Sequence, residues 1–76
     1  SDQGRLYLYN DDVHDFGDVI EALVEVCGHE DLQAEQCTYI VHYNGKCDVK
    51  TGPVSDLHQM CTGLQEKGLI AKIEKS

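Results

Sequence analysis

Apolar and polar side chains recur along the chain with two different periods, and these periods predict its elements. Residues 5–9 alternate leucines with tyrosines, which is typical of a strand with both faces at least partly covered. The Asn-Asp-Asp run at 10–12 ends this strand, because such residues favour turns. Apolar side chains then recur every three or four residues over 16–27, which predicts a helix. Asp15 is suited to cap its start and Gly28 to end it.

The remainder of the chain predicts two further helices and two further strands. A second helix is expected over residues 31–43, with apolar positions at Leu32, Ala34, Cys37, Ile40 and Val41. Alternation over 46–51 indicates a half-buried strand. Ser55 can cap a third helix, whose apolar stripe is Leu57, Met60, Cys61 and Leu64. A last strand is expected over residues 69–75.

The resulting order β-α-α-β-α-β predicts an α+β fold. Two neighbouring strands joined by a crossover helix run parallel. Placing the first strand between the other two makes each neighbouring pair antiparallel and still obeys the right-handed crossover rule. We therefore predict a sandwich in which a three-stranded antiparallel sheet of order 2-1-3 packs against three helices, mainly on one face. The alternative is a first strand at the edge, beside a parallel pair. We expect one domain over residues 1–76, with residues 1–4 disordered or left over from cloning.

Charge limits the class of partner. The chain of 76 residues carries a formal net charge of -8, with ten acidic side chains and one basic one in residues 1–38. So small a chain has room for one core and one site. Six scattered cations cannot form the basic face of a nucleic-acid binder, and no apolar run approaches the ~20 residues that span a bilayer. We expect a positively charged partner on the acidic half, and neither nucleic acid nor a membrane.

The cysteines and the missing catalytic motifs argue against an enzyme. Cys27, Cys37 and Cys61 fall on the apolar stripes of predicted helices, and none of the four cysteines, which include Cys47, forms a C-x-x-C pair. We interpret them as reduced core thiols of a cytoplasmic protein, rather than as disulfides or metal ligands. G-x-S-x-G, Walker A and G-x-G-x-x-G motifs are missing. We therefore predict no catalytic residue, no metal and no cofactor.

The Asn-Asp-Asp run at 10–12 is the most distinctive polar cluster of the chain. One interpretation is a turn with capping residues. The other is an ammonium site, because an amide oxygen and carboxylates can accept the three N–H bonds of an ammonium group. Among the four histidines, His42 stands out because it ends the second predicted helix, but no histidine pair has the i, i+4 spacing of a metal-binding helix. The residues alone do not decide between these two interpretations of the run.

Two segments carry a resemblance to a known family. The run LYNDD at 8–12 and the run IVHYNGK at 40–46 resemble the ClpS family of N-degron adaptors, and the resemblance extends from Leu6 to Glu74. It implies the β-α-α-β-α-β fold and a monomeric bacterial adaptor. Such adaptors bind substrate proteins whose first residue is Leu, Phe, Tyr or Trp. They deliver these substrates to a ClpA- or ClpC-type AAA+ unfoldase, which feeds the ClpP protease.

The same resemblance implies three groups of site residues. The substrate α-amino group would be bound by Asn10, Asp11 and His42. The start of the peptide backbone would be held at the site rim by Asp12 and His14. The first side chain would enter a hydrophobic pocket formed by Phe16, Val19, Thr38, Val41 and Leu69.

This chain departs from the family pattern at several of these positions. His14 replaces the usual Thr, and Phe16 and Thr38 replace Met-like pocket residues, so the pocket is expected to have a different shape. The third predicted helix carries Ser-Asp-Leu-His at 55–58, where the family has an acidic and basic patch for the unfoldase. The alternative function is a protein-interaction domain of the same fold without amino-terminal recognition. A flat surface in place of the pocket would favour that alternative.

Overall fold

The computed structural model describes residues 2–76, and its elements follow the predicted order. They are β1 (Gln3–Tyr9), α1 (Phe16–Cys27), α2 (Asp31–Asn44), β2 (Lys46–Pro53), α3 (Val54–Glu66) and β3 (Ile70–Lys75). β1 begins earlier than predicted, because Gln3 pairs with Pro53 and Gly4 pairs with both Gly52 and Lys75. The expectation of disorder in residues 1–4 is therefore wrong for Gln3 and Gly4. Ser1 lies outside the described residues.

The sheet has β1 at its centre. Its order is β2-β1-β3, and both pairs are antiparallel, as predicted. The alternative with β1 at an edge beside a parallel pair is therefore wrong. Leu6 and Leu8 of β1 are fully buried on the face that the helices cover. α2 and α3 lie against the strands, and α1 packs across α2 and α3.

The opposite face of β1 is covered by lysine side chains instead of helices. Tyr7 and Tyr9 are half-buried there. The Lys46 ammonium lies 4.8 Å from the Tyr7 ring centroid, and the Lys72 ammonium lies 5.5 Å from the Tyr9 ring centroid. Lysine stems cover apolar surface while the charged end interacts with the ring face. Both faces of β1 are thus at least partly covered, as the alternation of leucine and tyrosine predicts.

The ends of α1 agree with the sequence prediction, but the start of α3 does not. The Asp15 carboxylate accepts a hydrogen bond from the Asp18 N–H at 2.9 Å, and Gly28 ends α1 with a φ of 72°. α3 begins at Val54 rather than after Ser55, so the predicted Ser55 cap is wrong. The Val54 N–H donates to the Asp2 carbonyl at 2.7 Å. Because the backbone beside β1 accepts this bond, α3 can start without a side-chain cap.

α2 buries a narrower face than its apolar positions predict. Ala34, Thr38 and Val41 are buried, whereas Leu32 is 65% exposed and Ile40 is 41% exposed. The prediction of an apolar stripe that includes Leu32 and Ile40 is therefore wrong. α2 contacts α1 on one side and β2 on the other, and nothing in the described structure covers its outer face.

The thiols behave as small core groups. All four cysteines are free; Cys27, Cys47 and Cys61 are buried, and Cys37 is half-buried. Burial raises the pKa of Cys27 to about 11, and burial together with the neighbouring Cys37 thiol raises the pKa of Cys47 to about 12. These two thiols are neutral at physiological pH, and a neutral thiol packs as a small hydrophobe.

Residues 2–76 hold neither a cluster of metal-ligating side chains nor a membrane-spanning helix. No three histidine, cysteine or acidic side chains come close enough together there to hold a metal ion. None of the three helices is both long enough and apolar enough to cross a membrane.

We expect Leu23→Ala to lower the free energy of unfolding by about 2–5 kcal/mol, because it leaves a cavity at a fully buried core position of α1. Urea denaturation followed by circular dichroism measures this change. The matched control is Leu32→Ala, which should change the free energy of unfolding by no more than about 0.5 kcal/mol because Leu32 is exposed. Equal losses for the two variants would contradict the described core.

Candidate functional site

A cavity of about 340 Å³ opens where the loop between β1 and α1 meets the last turns of α2. It is lined by Asn10, Asp11, Asp12, His14, Asp15, Phe16, Val19, Thr38, Val41 and His42. The structure thus brings together every predicted site residue except Leu69. Asp15 also lines the cavity, although the sequence indicated only its role as a helix cap. Its N-cap position, three residues after the Asn-Asp-Asp run, was the sequence signal that could have placed Asp15 at the site.

Backbone hydrogen bonding fixes where the two halves of the cavity meet. The Asn10 N–H donates to the Gly45 carbonyl at 2.9 Å, just beyond the last paired residues of β1 and β2. Gly45 has a φ of 91°, which glycine adopts without strain, and its N–H donates to the Val41 carbonyl at 2.9 Å. α2 therefore ends beside the end of β1. This geometry brings His42, in the last turn of α2, to the same cavity as Asn10.

The inner wall of the cavity is apolar. Val19 of α1 and Val41 of α2 are buried, and so is Thr38. The Thr38 hydroxyl donates to the Ala34 carbonyl at 2.7 Å, so it needs no hydrogen bond from a ligand. Phe16 is half-buried at the start of α1. An apolar cavity with a few polar groups at one end is the usual form of a small-ligand site.

Aromatic rings hold Phe16 and His42 at the cavity mouth. The Phe16 ring centroid lies 5.0 Å from the His42 ring and 5.1 Å from the Tyr39 ring, both at steep interplanar angles. Tyr43 is stacked on Tyr39 at 6.3 Å and lies 4.9 Å from His42. Edge-to-face pairs of this kind are favourable. Sequence reasoning did not identify Tyr39 and Tyr43, although they stand one helical turn apart and each is next to a predicted site residue.

Among the acidic side chains of the cavity lining, Asp11 has the most hydrogen-bond contacts to the protein. Its Oδ1 accepts hydrogen bonds from the N–H groups of Val13 and His14, each at 2.8 Å, and His14 Nδ1 lies 3.2 Å from both carboxylate oxygens. Partial burial alone would raise the pKa of this carboxyl. The bonds from the His14 and Val13 backbones, together with the His14 ring, outweigh burial, and the pKa of Asp11 lies below its usual value. Asp11 is therefore a carboxylate at neutral pH.

The cavity lining is negatively charged. It includes the carboxylates of Asp11, Asp12 and Asp15, and it includes neither lysine nor arginine. A carboxylate has about four acceptor positions, and the protein contacts to Asp11 leave capacity for a further donor. The lining therefore offers an ionised acceptor next to an apolar wall. That combination suits a ligand with a cationic hydrogen-bond donor and an adjoining apolar group.

His14 closes the cavity on the side of the α3–β3 turn. While its Nδ1 faces Asp11, its Nε2 lies 3.2 Å from the Lys67 carbonyl oxygen. A second cavity of about 340 Å³ lies beyond it, lined by His14, Asp18, Glu21, Ala22, Lys67 and Leu69. His14 is the residue that the two linings share. Leu69, which was predicted for the first pocket, lies in the lining of the second cavity and not in that of the first.

Comparisons with known proteins identify the family and support the fold. The family model described as ATP-dependent Clp protease adaptor protein ClpS matches residues 1–72. The fold is similar to the solved structure of Agrobacterium tumefaciens ClpS2 bound to L-phenylalaninamide, with a TM-score of 0.90 over 99% of this chain and 98% of that chain, at 17% sequence identity. A comparison with curated protein sequences found no match. Because the family model covers nearly the whole length, the chain belongs to the ClpS family of adaptors of the ATP-dependent Clp protease.

Proposed function

We propose that this protein binds the free α-amino group and the large hydrophobic first residue (Leu, Phe, Tyr or Trp) of N-degron substrates. The observation that carries the proposal is the shared cavity, in which Asn10, Asp11 and His42 adjoin the apolar wall of Val19 and Val41. Membership of an adaptor family means that the protein is not an enzyme. Its task is therefore selective binding, which needs one pocket and no reacting groups.

The substrate amine would be bound by charge attraction and by directional hydrogen bonds. Asp11 offers an ionised carboxylate, and Asn10 and His42 are exposed residues of the cavity lining that can reach a ligand at its mouth. An ammonium group donates three hydrogen bonds, and bonds to a charged acceptor contribute about 1.5–3 kcal/mol. An acetylated amine loses the charge and two of the three donors. The pocket would thereby distinguish a chain end from an internal peptide bond.

The first side chain would be selected by the apolar wall. Burying a Leu or Phe side chain between Val19 and Val41 would contribute about 1.5–3 kcal/mol. A polar first residue would leave its hydrogen-bonding groups unpaired there and would be rejected. The ligand named for the solved relative, L-phenylalaninamide, unites a free α-amino group with a phenyl side chain. This is the combination of groups that the present cavity suits.

Membership of a Clp protease adaptor family supports delivery of the bound substrate to that protease. We propose a ClpA- or ClpC-type unfoldase as the second partner, a monomeric adaptor and a cytoplasmic site of action. The free thiols support a reducing compartment. The competing function is a protein-interaction domain of the same fold without amino-terminal recognition. A cavity between Asn10 and His42, rather than a flat surface, supports the amino-terminal ligand over this alternative.

Peptides that begin with Phe, Leu, Tyr or Trp should bind, and N-acetylated copies of the same peptides should bind at least about tenfold more weakly, because the ammonium contacts are lost. Fluorescence anisotropy with carboxyl-terminally labelled peptides measures both affinities. Peptides with the first two residues exchanged serve as a control for composition. Equal affinities of free and acetylated peptides would contradict the proposed function.

Asp11→Asn should weaken peptide binding by about tenfold to a hundredfold, since a neutral amide replaces the carboxylate that faces the ammonium. Asp56→Asn is the matched control, because it makes the same charge change on α3, outside the cavity lining. It should leave the affinity within about twofold. Thermal unfolding of both variants checks that the fold is retained. An unchanged affinity for Asp11→Asn would remove Asp11 from the amine contact.

The pH dependence of peptide affinity should distinguish the titration of the ligand amine from that of Asp11. Affinity should fall as pH rises through about 7.7–8.0, where an α-amino group loses its proton. Since the pKa of Asp11 is lowered, its carboxylate persists as pH falls and is lost only below the usual value of 3.8. The ratio of wild-type affinity to Asp11→Asn affinity should therefore stay constant from that pH up to about pH 7, where the amine is still an ammonium group, and approach one below that range. A ratio that collapses near neutral pH would contradict the described environment of Asp11.

A further inference from the structure

We propose that His14 is a specificity-determining residue that acts as a wall of the first-residue pocket and limits how far a side chain can extend toward Leu69. The proposal rests on the proposed function of that pocket. It is carried by the position of the His14 ring between two cavities of similar size.

The two ring nitrogens of His14 face different parts of the chain. Nδ1 lies 3.2 Å from each oxygen of Asp11, and Nε2 lies 3.2 Å from the Lys67 carbonyl oxygen. The ring atoms also lie close to Gly68, where an added Cβ would come within 3.3 Å of His14 Cε1. The ring therefore joins the β1–α1 loop to the α3–β3 turn. A neutral imidazole carries one N–H, so one of these two contacts is a hydrogen bond, and the ring spans both elements as a wall.

The two cavities lie side by side along α1. Val19 lines the first cavity and Ala22, one helical turn further along, lines the second. Leu69 and Ala22 are buried and form an apolar surface of the second cavity. Removing the His14 ring would join the two spaces. The wild-type pocket should therefore accept Phe or Leu and exclude an aromatic side chain lengthened by a second ring.

The direct test compares two peptides that differ only in the first residue, Phe in one and 4-phenylphenylalanine in the other. Wild-type protein should bind the longer residue at least about tenfold more weakly than Phe. His14→Ala removes the ring and should bring the two affinities within about threefold of each other. His14→Phe is the matched control, because it keeps a ring of similar size but lacks the ring nitrogens. This variant should still bind the Phe peptide more tightly than the 4-phenylphenylalanine peptide, even if both affinities fall. An unchanged affinity ratio in His14→Ala would overturn the proposal.

A second measurement tests the wall in the wild-type protein, with a ligand that has no amino group. In methyl NMR spectra, benzyl alcohol should shift the Val19 and Val41 methyl signals of the wild-type protein and leave those of Leu69 in place. Leu69 signals that move in the wild type would overturn the wall. L-phenylalaninamide is titrated in parallel. If it moves no methyl signal while benzyl alcohol does, the proposed amine recognition fails and the wall is retained.

Discussion

One backbone hydrogen bond, from the Asn10 N–H to the Gly45 carbonyl at 2.9 Å, joins the end of the central strand to the end of α2. Leu6 and Leu8 hold β1 in the core, and strands on both sides fix its direction. The loop that follows β1 therefore starts from a rigid position. Because α2 ends at Gly45, that bond sets His42 of α2 beside the polar loop. The rest of the cavity is built on this junction of strand and helix.

Asp11 links the local structure of the loop to its chemistry. Its carboxylate orders the loop through the backbone N–H groups of Val13 and His14, and these same bonds keep it ionised. The group that shapes the site is thus also the group that would meet a substrate ammonium. Other acids of the first half, such as Glu21 and Glu25, are exposed on α1. Glu25 is paired with the Lys67 ammonium at 2.7 Å, so Glu21 is the one that adds to a diffuse negative field, which would favour the approach of an amino terminus.

The sequence predicts those features that depend on near neighbours. The period of apolar residues predicts α1 with its Asp15 cap, and the connection rules predict the central position of β1. Features that depend on distant contacts were missed. Ser55 is not the cap of α3, because Val54 bonds to the backbone of Asp2. Leu69 was predicted for the first cavity but lines the second, and the His14 ring, which lines both, reaches across to Lys67, 53 residues away. No local pattern signals such a contact.

A crystal structure of the protein with a short peptide that begins with Phe tests the central claim most directly. The account predicts that the peptide nitrogen lies within about 3.2 Å of Asn10 and Asp11 oxygens. The phenyl ring should lie between Val19 and Val41, on the near side of an unmoved His14. A ring bound outside this cavity, or a peptide nitrogen that points into solvent away from Asp11, would contradict it.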